Sequence, residues 1–329
     1  VAINEYLQVW NARKWMKQTE PFLKTWHAHL GYSLHLFDYF QAGETVECVA
    51  KNHGLEPMLL KRWVDVGLAV DHLEKRRGYK VQTKKRMVKY LSKESNQSVG
   101  ILLEEMFELH IPTLLSYRER MQGEGKKKKP GMADMVAATS SLLETLTLPK
   151  VAGQVKRQKV RELLDVGCGY GGYLRRLGDK FPNVQLDGIE VDQDVCIRAW
   201  EANQHENVSI VQGDFNAYQP EKPYDMLMLN NLLYYFPAST RQALFRKSHK
   251  LVVPKGTLIV ITPLTYEKHG NRFASAFNSF MSAHEEMFPI PSKQELNLYA
   301  KDAGFKLIEA KPVVKEGGWY MLVFRKKRR

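Results

Sequence analysis

Between Leu163 and Tyr173 the chain reads Leu-Leu-Asp-Val-Gly-Cys-Gly-Tyr-Gly-Gly-Tyr, and no other stretch narrows the possible folds as much. A short apolar strand ends in the acid Asp165, glycine then recurs at every second position, and a helix-like run follows from Tyr173 to Leu177. Glycines at that density let the backbone turn sharply and approach a ligand where any Cβ would collide. The pattern predicts a nucleotide-like cofactor at the carboxyl end of a strand in an α/β sheet.

The spacing selects among such cofactors. A dinucleotide site reads G-x-G-x-x-G, with a helix N-terminus facing a pyrophosphate. Here Gly167, Gly169 and Gly171 follow Asp165 as Asp-x-Gly-x-Gly-x-Gly. A carboxylate beside the turn would repel a pyrophosphate but suits a ligand carrying an ammonium group. On these residues the chain resembles the class I S-adenosylmethionine-dependent methyltransferases, whose first glycine motif has this form. Val184 to Glu190 reads as a second strand ending in an acid, 19 residues after Gly171, where a carboxylate can accept both ribose hydroxyls. Val208 begins a third strand that runs into Gly213-Asp214-Phe215, and Tyr224–Leu229 and Thr257–Thr262 read as the fourth and fifth. The resemblance implies S-adenosyl-L-methionine as cofactor. Asp165, Gly167, Cys168, Gly169 and Gly171 would surround its methionine end, and Glu190 and Val191 its ribose. Asp214 would bond the adenine amino group, flanked by Gly213 and Phe215, with Asn230 at the end of the fourth strand.

A length of 329 residues leaves room for two domains and a large core. The expected division is a helical, winged-helix domain over 1–150, acting in dimerisation and as a substrate lid, and a Rossmann-like catalytic domain over 151–329. Cys48, Cys168 and Cys196 show no pairing or metal spacing, which suggests a reducing, cytoplasmic setting. No apolar run approaches the ~18 residues of a membrane span, and the opening Val1-Ala-Ile-Asn4 has no signal-peptide pattern. Histidines lack a compact ligand spacing, and His27 and His29 fall on different helix faces, so no metal site is expected. The net charge of +13 is clustered, at Lys75 to Lys89, at Lys126 to Lys129 and at Arg325 to Arg329. Solvated surface charge accounts for it, with an acidic substrate or polyanionic partner as the alternative.

In the first half, apolar residues at Phe22, Leu23, Trp26, Leu30, Leu34 and Phe37 predict a helix over Glu20 to Gln41. Shorter helices follow at Glu44–Asn52 and Glu56–Val66. Leu68–Tyr79 and Val81–Thr83 then suggest a small β-wing turning at Arg77-Gly78. Helix, helix, helix, wing is a winged-helix unit, a pattern compatible with DNA binding. Gly31 to Leu91, however, resembles the N-terminal domain of the small-molecule O-methyltransferases of plant and bacterial secondary metabolism. The matches are Leu36-Phe-Asp-Tyr-Phe40, Val49 to Gly54, Leu59 to Gly67 and Tyr79 to Thr83. That resemblance implies a homodimer rather than a nucleic-acid reader, with substrate-facing helices over Ser98–Arg120 and Met132–Leu146. Met106 and His110 are the substrate contacts expected from the first of these.

One departure matters for the chemistry. In the resembled enzymes the fourth strand leads into Leu-His-Asp-Trp, whose His is the general base. This chain has Asn230-Asn-Leu-Leu-Tyr-Tyr-Phe-Pro237, which puts Tyr234 at the base position and Asn231 and Tyr235 beside the expected substrate. Methyl transfer from a sulfonium is already strongly activated, so positioning and exclusion of water dominate. A tyrosine with an ordinary pKa near ~10 orients better than it deprotonates. The acceptor is then an acidic oxygen, or a nitrogen or carbon centre, or another residue serves as base. His269 and His284 are the candidates for such a base, and Asn278 and Met281 are expected in the same pocket wall. The leading expectation is methyl transfer to an oxygen nucleophile of a small molecule. The alternatives are an N- or C-methyltransferase, an RNA or protein methyltransferase, and a non-catalytic winged-helix sensor. Amino-methylation of nucleobases is disfavoured, because no Pro-Pro turn follows the fourth strand.

Overall fold

The computed structural model describes residues 3–125 and 132–327, and the chain divides into two compact units, Val1–Pro112 and Thr113–Arg329. The Lys126–Lys129 run and Arg328-Arg329 lie outside the described residues.

The first unit opens with helix α1 (Ile3–Ser33), which starts well before the expected Glu20 and buries side chains only from its last two turns. The expected helix to Gln41 is interrupted at His35, whose φ of 56° ends α1 and sets the direction of α2 (Leu36–Tyr39). A Cβ on Gly31 would overlap the ring of Phe37, so glycine there lets the two helices close on each other. α3 (Val46–His53) starts where Thr45 Oγ1 accepts the Cys48 N–H at 3.2 Å and stops at Gly54 in the left-handed region. α4 (Pro57–Ala69) follows. β1 (Leu73–Lys75) and β2 (Val81–Thr83) then form the antiparallel wing, extended by a bridge from Glu44 to Val81. Phe37, Phe40, Leu60, Trp63, Leu73 and Val81 form the core. The expected order of helices and wing is therefore observed, with the first expected helix broken into α1 and α2. α5 (Lys85–Leu91), α6 (Gly100–Glu105) and a π-helical turn at Met106–His110 complete the unit, and α7 (Ile111–Leu115) spans the division between the two units.

In the second unit, α8 (Tyr117–Glu119) and α9 (Met132–Gln158) precede the sheet, so the helix that spans residue 150 belongs wholly with the sheet. The sheet elements, in chain order, are β3 (Glu162–Val166), α10 (Gly172–Lys180), β4 (Gln185–Glu190), α11 (Gln193–Ala202), β5 (Val208–Gln212) and β6 (Tyr224–Asn230). They continue with α12 (Ala238–Leu251), β7 (Val252–Pro263), α13 (Asn271–Ser282), α14 (Lys293–Asp302), β8 (Phe305–Val314) and β9 (Trp319–Lys326). The spatial order is β5-β4-β3-β6-β7-β9-β8, parallel except for β9, which runs antiparallel to both its neighbours. Leu163, Leu164, Leu227, Leu229, Leu258 and Val260 are almost wholly buried, as strands covered by helices on both faces require. This is the Rossmann-like α/β architecture expected, with two further C-terminal strands. Successive strands step one way from β3 and the other way from β6. The crevice above the carboxyl ends of this adjacent pair is the topological switch point where such sheets bind ligands.

Candidate active site

A cavity of about 900 Å³ opens at that switch point. Asp165 ends its strand here and is almost completely buried, and Asn230, at the end of the neighbouring strand, donates Nδ2–H to Asp165 Oδ1 at 3.2 Å. The glycine turn follows with φ values of 67°, 55° and 69° at Gly167, Gly169 and Gly171, a region open to glycine at little cost. The reasons differ by position. A Cβ on Gly167 would press into Leu232 at 2.7 Å, whereas one on Gly169 would meet nothing within 4 Å. Gly169 thus presents bare backbone to open space, as a cradle for a ligand does.

Glu190 closes the next side. Its Oε2 accepts the Gly169 N–H at 3.0 Å and its Oε1 the N–H groups of Val191 and Asp192 at 2.9 and 3.1 Å, so the carboxylate is aimed before any ligand arrives. The Gly213 N–H bonds the Glu190 carbonyl at 2.8 Å, which brings the third strand's end alongside. Asp214 and the buried Phe215 line the same cavity, with Asp214 Oδ1 accepting the Asn216 N–H at 2.8 Å. Cys168 and Val191 also face it. All the residues expected around the cofactor except Gly171, which packs against Asn203 and Ile210, line this one cavity, and they come from the ends of four strands.

The electrostatics favour a cation. Burial, followed by the charges of Glu144 and Glu190, raises the Asp165 carboxyl well above the usual carboxylate range; the Asn230 hydrogen bond pulls the other way. Asn230 Oδ1 is buried without a hydrogen-bond partner. A ligand bearing an ammonium would relieve both, so the residues present fit the methionine end of S-adenosylmethionine.

The other rim is aromatic. Asn231, Tyr234 and Tyr235 all line the cavity. Tyr234 lies in a short 3₁₀ turn (Leu233–Tyr235), is buried, and meets the Phe277 ring edge-on at 5.7 Å. Asn231 has a φ of 51°, and its Oδ1 accepts the Trp319 indole N–H at 2.8 Å. An indole nitrogen only donates, so this contact assigns the amide orientation and leaves Nδ2–H₂ to donate elsewhere.

Four expected residues of the second unit stand outside the cavity lining. His284 is buried beside Thr113, with Nε2 3.1 Å from Thr113 Oγ1, and packs on Phe280. Asn278 Oδ1 accepts the Ile290 N–H at 2.8 Å and serves the local chain path, and Met281 is core. His269 sits in the connection before α13. None of these four lines the cavity; their segment supports its rim instead, with Phe277 packed behind Tyr234 and the Phe288 N–H donated to the Tyr234 carbonyl at 2.9 Å. Met106 and His110 belong to the π-helical turn of the first unit, where His110 Nε2 lies 3.3 Å from Glu105 Oε1. Two cavity-wall features had no signal as a motif: Glu144 of α9, a lone acid in an apolar helical run, and the support of Asn231 by Trp319.

Fold and site together define a Rossmann-like enzyme domain built for an adenosyl ligand with a cationic tail. Residues 132–310, more than half the chain, match a family profile described as methyltransferase domain. The chain belongs to this family and is a class I S-adenosylmethionine-dependent methyltransferase related to the small-molecule O-methyltransferases. Among solved structures it resembles an O-methyltransferase family protein from Burkholderia thailandensis, with a TM-score of 0.80 at 17% identity over 96% of this chain and 98% of that one. It also resembles human N-acetylserotonin methyltransferase in complex with SAM, at 0.79 and 16% identity over 97% and 98%. Among curated proteins it is 26% identical over 106 residues to malonyl-[acyl-carrier protein] O-methyltransferase 2 of Ilyobacter polytropus, covering 32% of this chain and 40% of that protein. Trans-aconitate 2-methyltransferase of Rhizobium leguminosarum bv. trifolii is 25% identical over 158 residues, covering 45% and 60%. The matches thus span about half the length of these curated relatives.

Proposed function

We propose that this chain methylates an oxygen of a small-molecule acceptor, acting mainly by holding and orienting it. The observation that carries the reading is the single cavity, with the donor cradle at one end and Asn231, Tyr234 and Tyr235 at the other. Its volume lies toward the upper end of the roughly 300–1,000 Å³ of small-molecule sites, which leaves space for an acceptor beside the donor. S-adenosylmethionine supplies an electrophilic methyl group when bound. The protein's own part is to fix the adenosyl group with Glu190 and Asp214, to hold the ammonium with Asp165, and to keep water from the reacting oxygen with its aromatic rim. Asn231 Nδ2–H₂ offers the acceptor oxygen a hydrogen bond, and the Tyr234 side chain packs beside it. That arrangement suits a nucleophile already acidic enough to ionise, such as a carboxylate or an acidic phenol. Two curated relatives whose names specify carboxylate-bearing acceptors, malonyl-[acyl-carrier protein] and trans-aconitate, support the same reading.

The first unit serves as a dimerisation domain in this proposal. α1 exposes Tyr6, Leu7, Trp10, Trp15, Phe22 and Leu23 along one helix, more apolar surface than a monomer usually leaves to water. Around the wing, Arg76 pairs with Glu74, Lys80 with Glu44, and Lys84 and Arg86 with Asp71, so much of that basic cluster is already neutralised locally. This favours a metabolite enzyme over a nucleic-acid reader. The test is calorimetric titration with S-adenosylhomocysteine, followed by a mass-spectrometric screen of carboxylates, phenols and amines for methyl acceptance. Methylation of amines alone would refute the oxygen assignment, and tight, steeply salt-dependent duplex binding would refute the metabolite reading.

A further inference from the structure

Glu144 lies midway along α9, yet its carboxylate reaches the cavity end of the sheet. Its Oε2 is fully buried and has no hydrogen-bond partner. It covers Gly172, the first residue of α10, so closely that a Cβ there would overlap the carboxylate. Asp165 and Asn230 line the same cavity from two adjacent strands, and Asn230 Oδ1 is likewise buried and unpartnered. Three acceptor side chains from three elements thus face one space, and the protein returns only the Asn230–Asp165 bond between them. Buried acceptors left in this state are costly unless a donor arrives. Among the described residues no three His, Cys, Asp or Glu side chains are grouped to hold a metal ion. An ammonium, with three N–H donors and a positive charge, matches what is missing.

We propose that Glu144 is a third ligand of the cofactor's α-ammonium, beside Asp165 and Asn230, and that it releases its proton to solvent when the ammonium binds. This rests on the donor-binding reading above. The charged groups facing Glu144 are Arg175 and Arg176 of α10 and Asp165 of β3, with Glu190 of β4 acting on Asp165 and the Tyr173 hydroxyl nearby. Arg176 is engaged with Thr145 Oγ1 at 2.8 Å, and Tyr173 with Thr147. Burial pushes the Glu144 carboxyl up to about 7, against the downward pull of the two arginines. At pH 6.5 the ligand-free carboxyl therefore carries a proton for most of the time. An ammonium favours the ionised form, so the carboxylic O–H bond breaks and the proton leaves for the buffer. Binding of this kind tightens as pH rises toward neutrality.

Calorimetry at pH 6.5 in two buffers of different ionisation enthalpy reads the proton directly. S-adenosylhomocysteine, which carries the ammonium, is compared with 5′-methylthioadenosine, which lacks it. The wild-type protein is expected to release roughly 0.5 to 1 proton with the first and none with the second. Glu144→Gln is expected to weaken S-adenosylhomocysteine by about 10-fold or more, to lower that release by the Glu144 share while leaving whatever Asp165, whose carboxyl is also raised, gives up, and to bind methylthioadenosine as before. A smaller loss of affinity, or a release as large in the variant as in the wild type, overturns the proposal while the donor site stands. Should the variant not fold, the wild-type count decides alone: no release at pH 6.5 overturns it. Failure of the wild-type protein to bind either nucleoside defeats the donor-binding reading and this proposal with it.

Discussion

The first unit should lose stability in mild acid, and the structure says by how much. His27 and His72 are buried with their Nδ1 atoms 3.0 Å apart, and His27 Nε2 lies 3.1 Å from the Trp63 carbonyl oxygen. A carbonyl only accepts, so His27 carries its proton on Nε2 and its Nδ1 accepts from His72 Nδ1–H. A second proton on His27 would set two N–H groups against each other, on a ring stacked 4.2 Å from Trp63. Burial, then the neighbouring His72, lowers His27 to about 3; burial, then Arg86 and Lys24, lowers His72 to about 4, with Asp71 opposing. Both values lie below the unfolded value near ~6.5. Between pH 6.5 and 4 the unfolded chain therefore binds more protons than the folded one, and stability falls as pH falls. At pH 5 each ring is 1.5 pH units below its unfolded pKa, or about 2 kcal/mol. His72 is the less enclosed of the two and is discounted to about 1, which makes roughly 3 kcal/mol in all. Hydrogen exchange of the amides in α1, α4 and the wing, corrected for intrinsic rates, measures the opening free energy at pH 7 and pH 5. A fall of less than about 1 kcal/mol would refute the assigned tautomers and the neutral pair.

Three further expectations concern the site. Asp165→Asn keeps an oxygen for the Asn230 bond but removes the charge, and should weaken S-adenosylhomocysteine by about 2–4 kcal/mol in calorimetry. Unchanged affinity would remove Asp165 from the site. Tyr234→Phe should lower kcat only about 3- to 10-fold; a loss of the roughly 10²- to 10⁴-fold expected of a base would instead assign it proton transfer. Trp319→Phe deletes the indole donor that orients Asn231, and should raise the acceptor KM or lower kcat about 10-fold while donor affinity stays constant.

Legibility followed the range of the interactions concerned. The sheet strands from Glu162 to Asn230 were readable because each is a short apolar run, and the glycine turn because positive φ demands glycine. β8 and β9 were not separated as strands: Pro312 and two register shifts break the regular pattern, although β9 itself is almost wholly buried. The start of α1 was also missed, because its apolar residues remain exposed rather than marking a buried stripe. His269 and His284 suit the role of base by residue type, but they lie in the connections flanking α13, and distance along the chain does not reveal which connection reaches a cavity. Packing on Phe280 and Thr113 decides that for His284.

The linear chain was enough to determine the class of cofactor. Asp165, the alternating glycines, Glu190 and Gly213-Asp214 stand at strand ends, and the parallel topology brings such ends to one edge of the sheet wherever the intervening helices run. Only the tertiary structure decided which side chains complete that edge. The register of α9 against α10 puts Glu144 over Gly172, and the antiparallel return of β9 sets Trp319 under Asn231. Neither contact has a local signature, because each depends on packing between elements far apart in the chain.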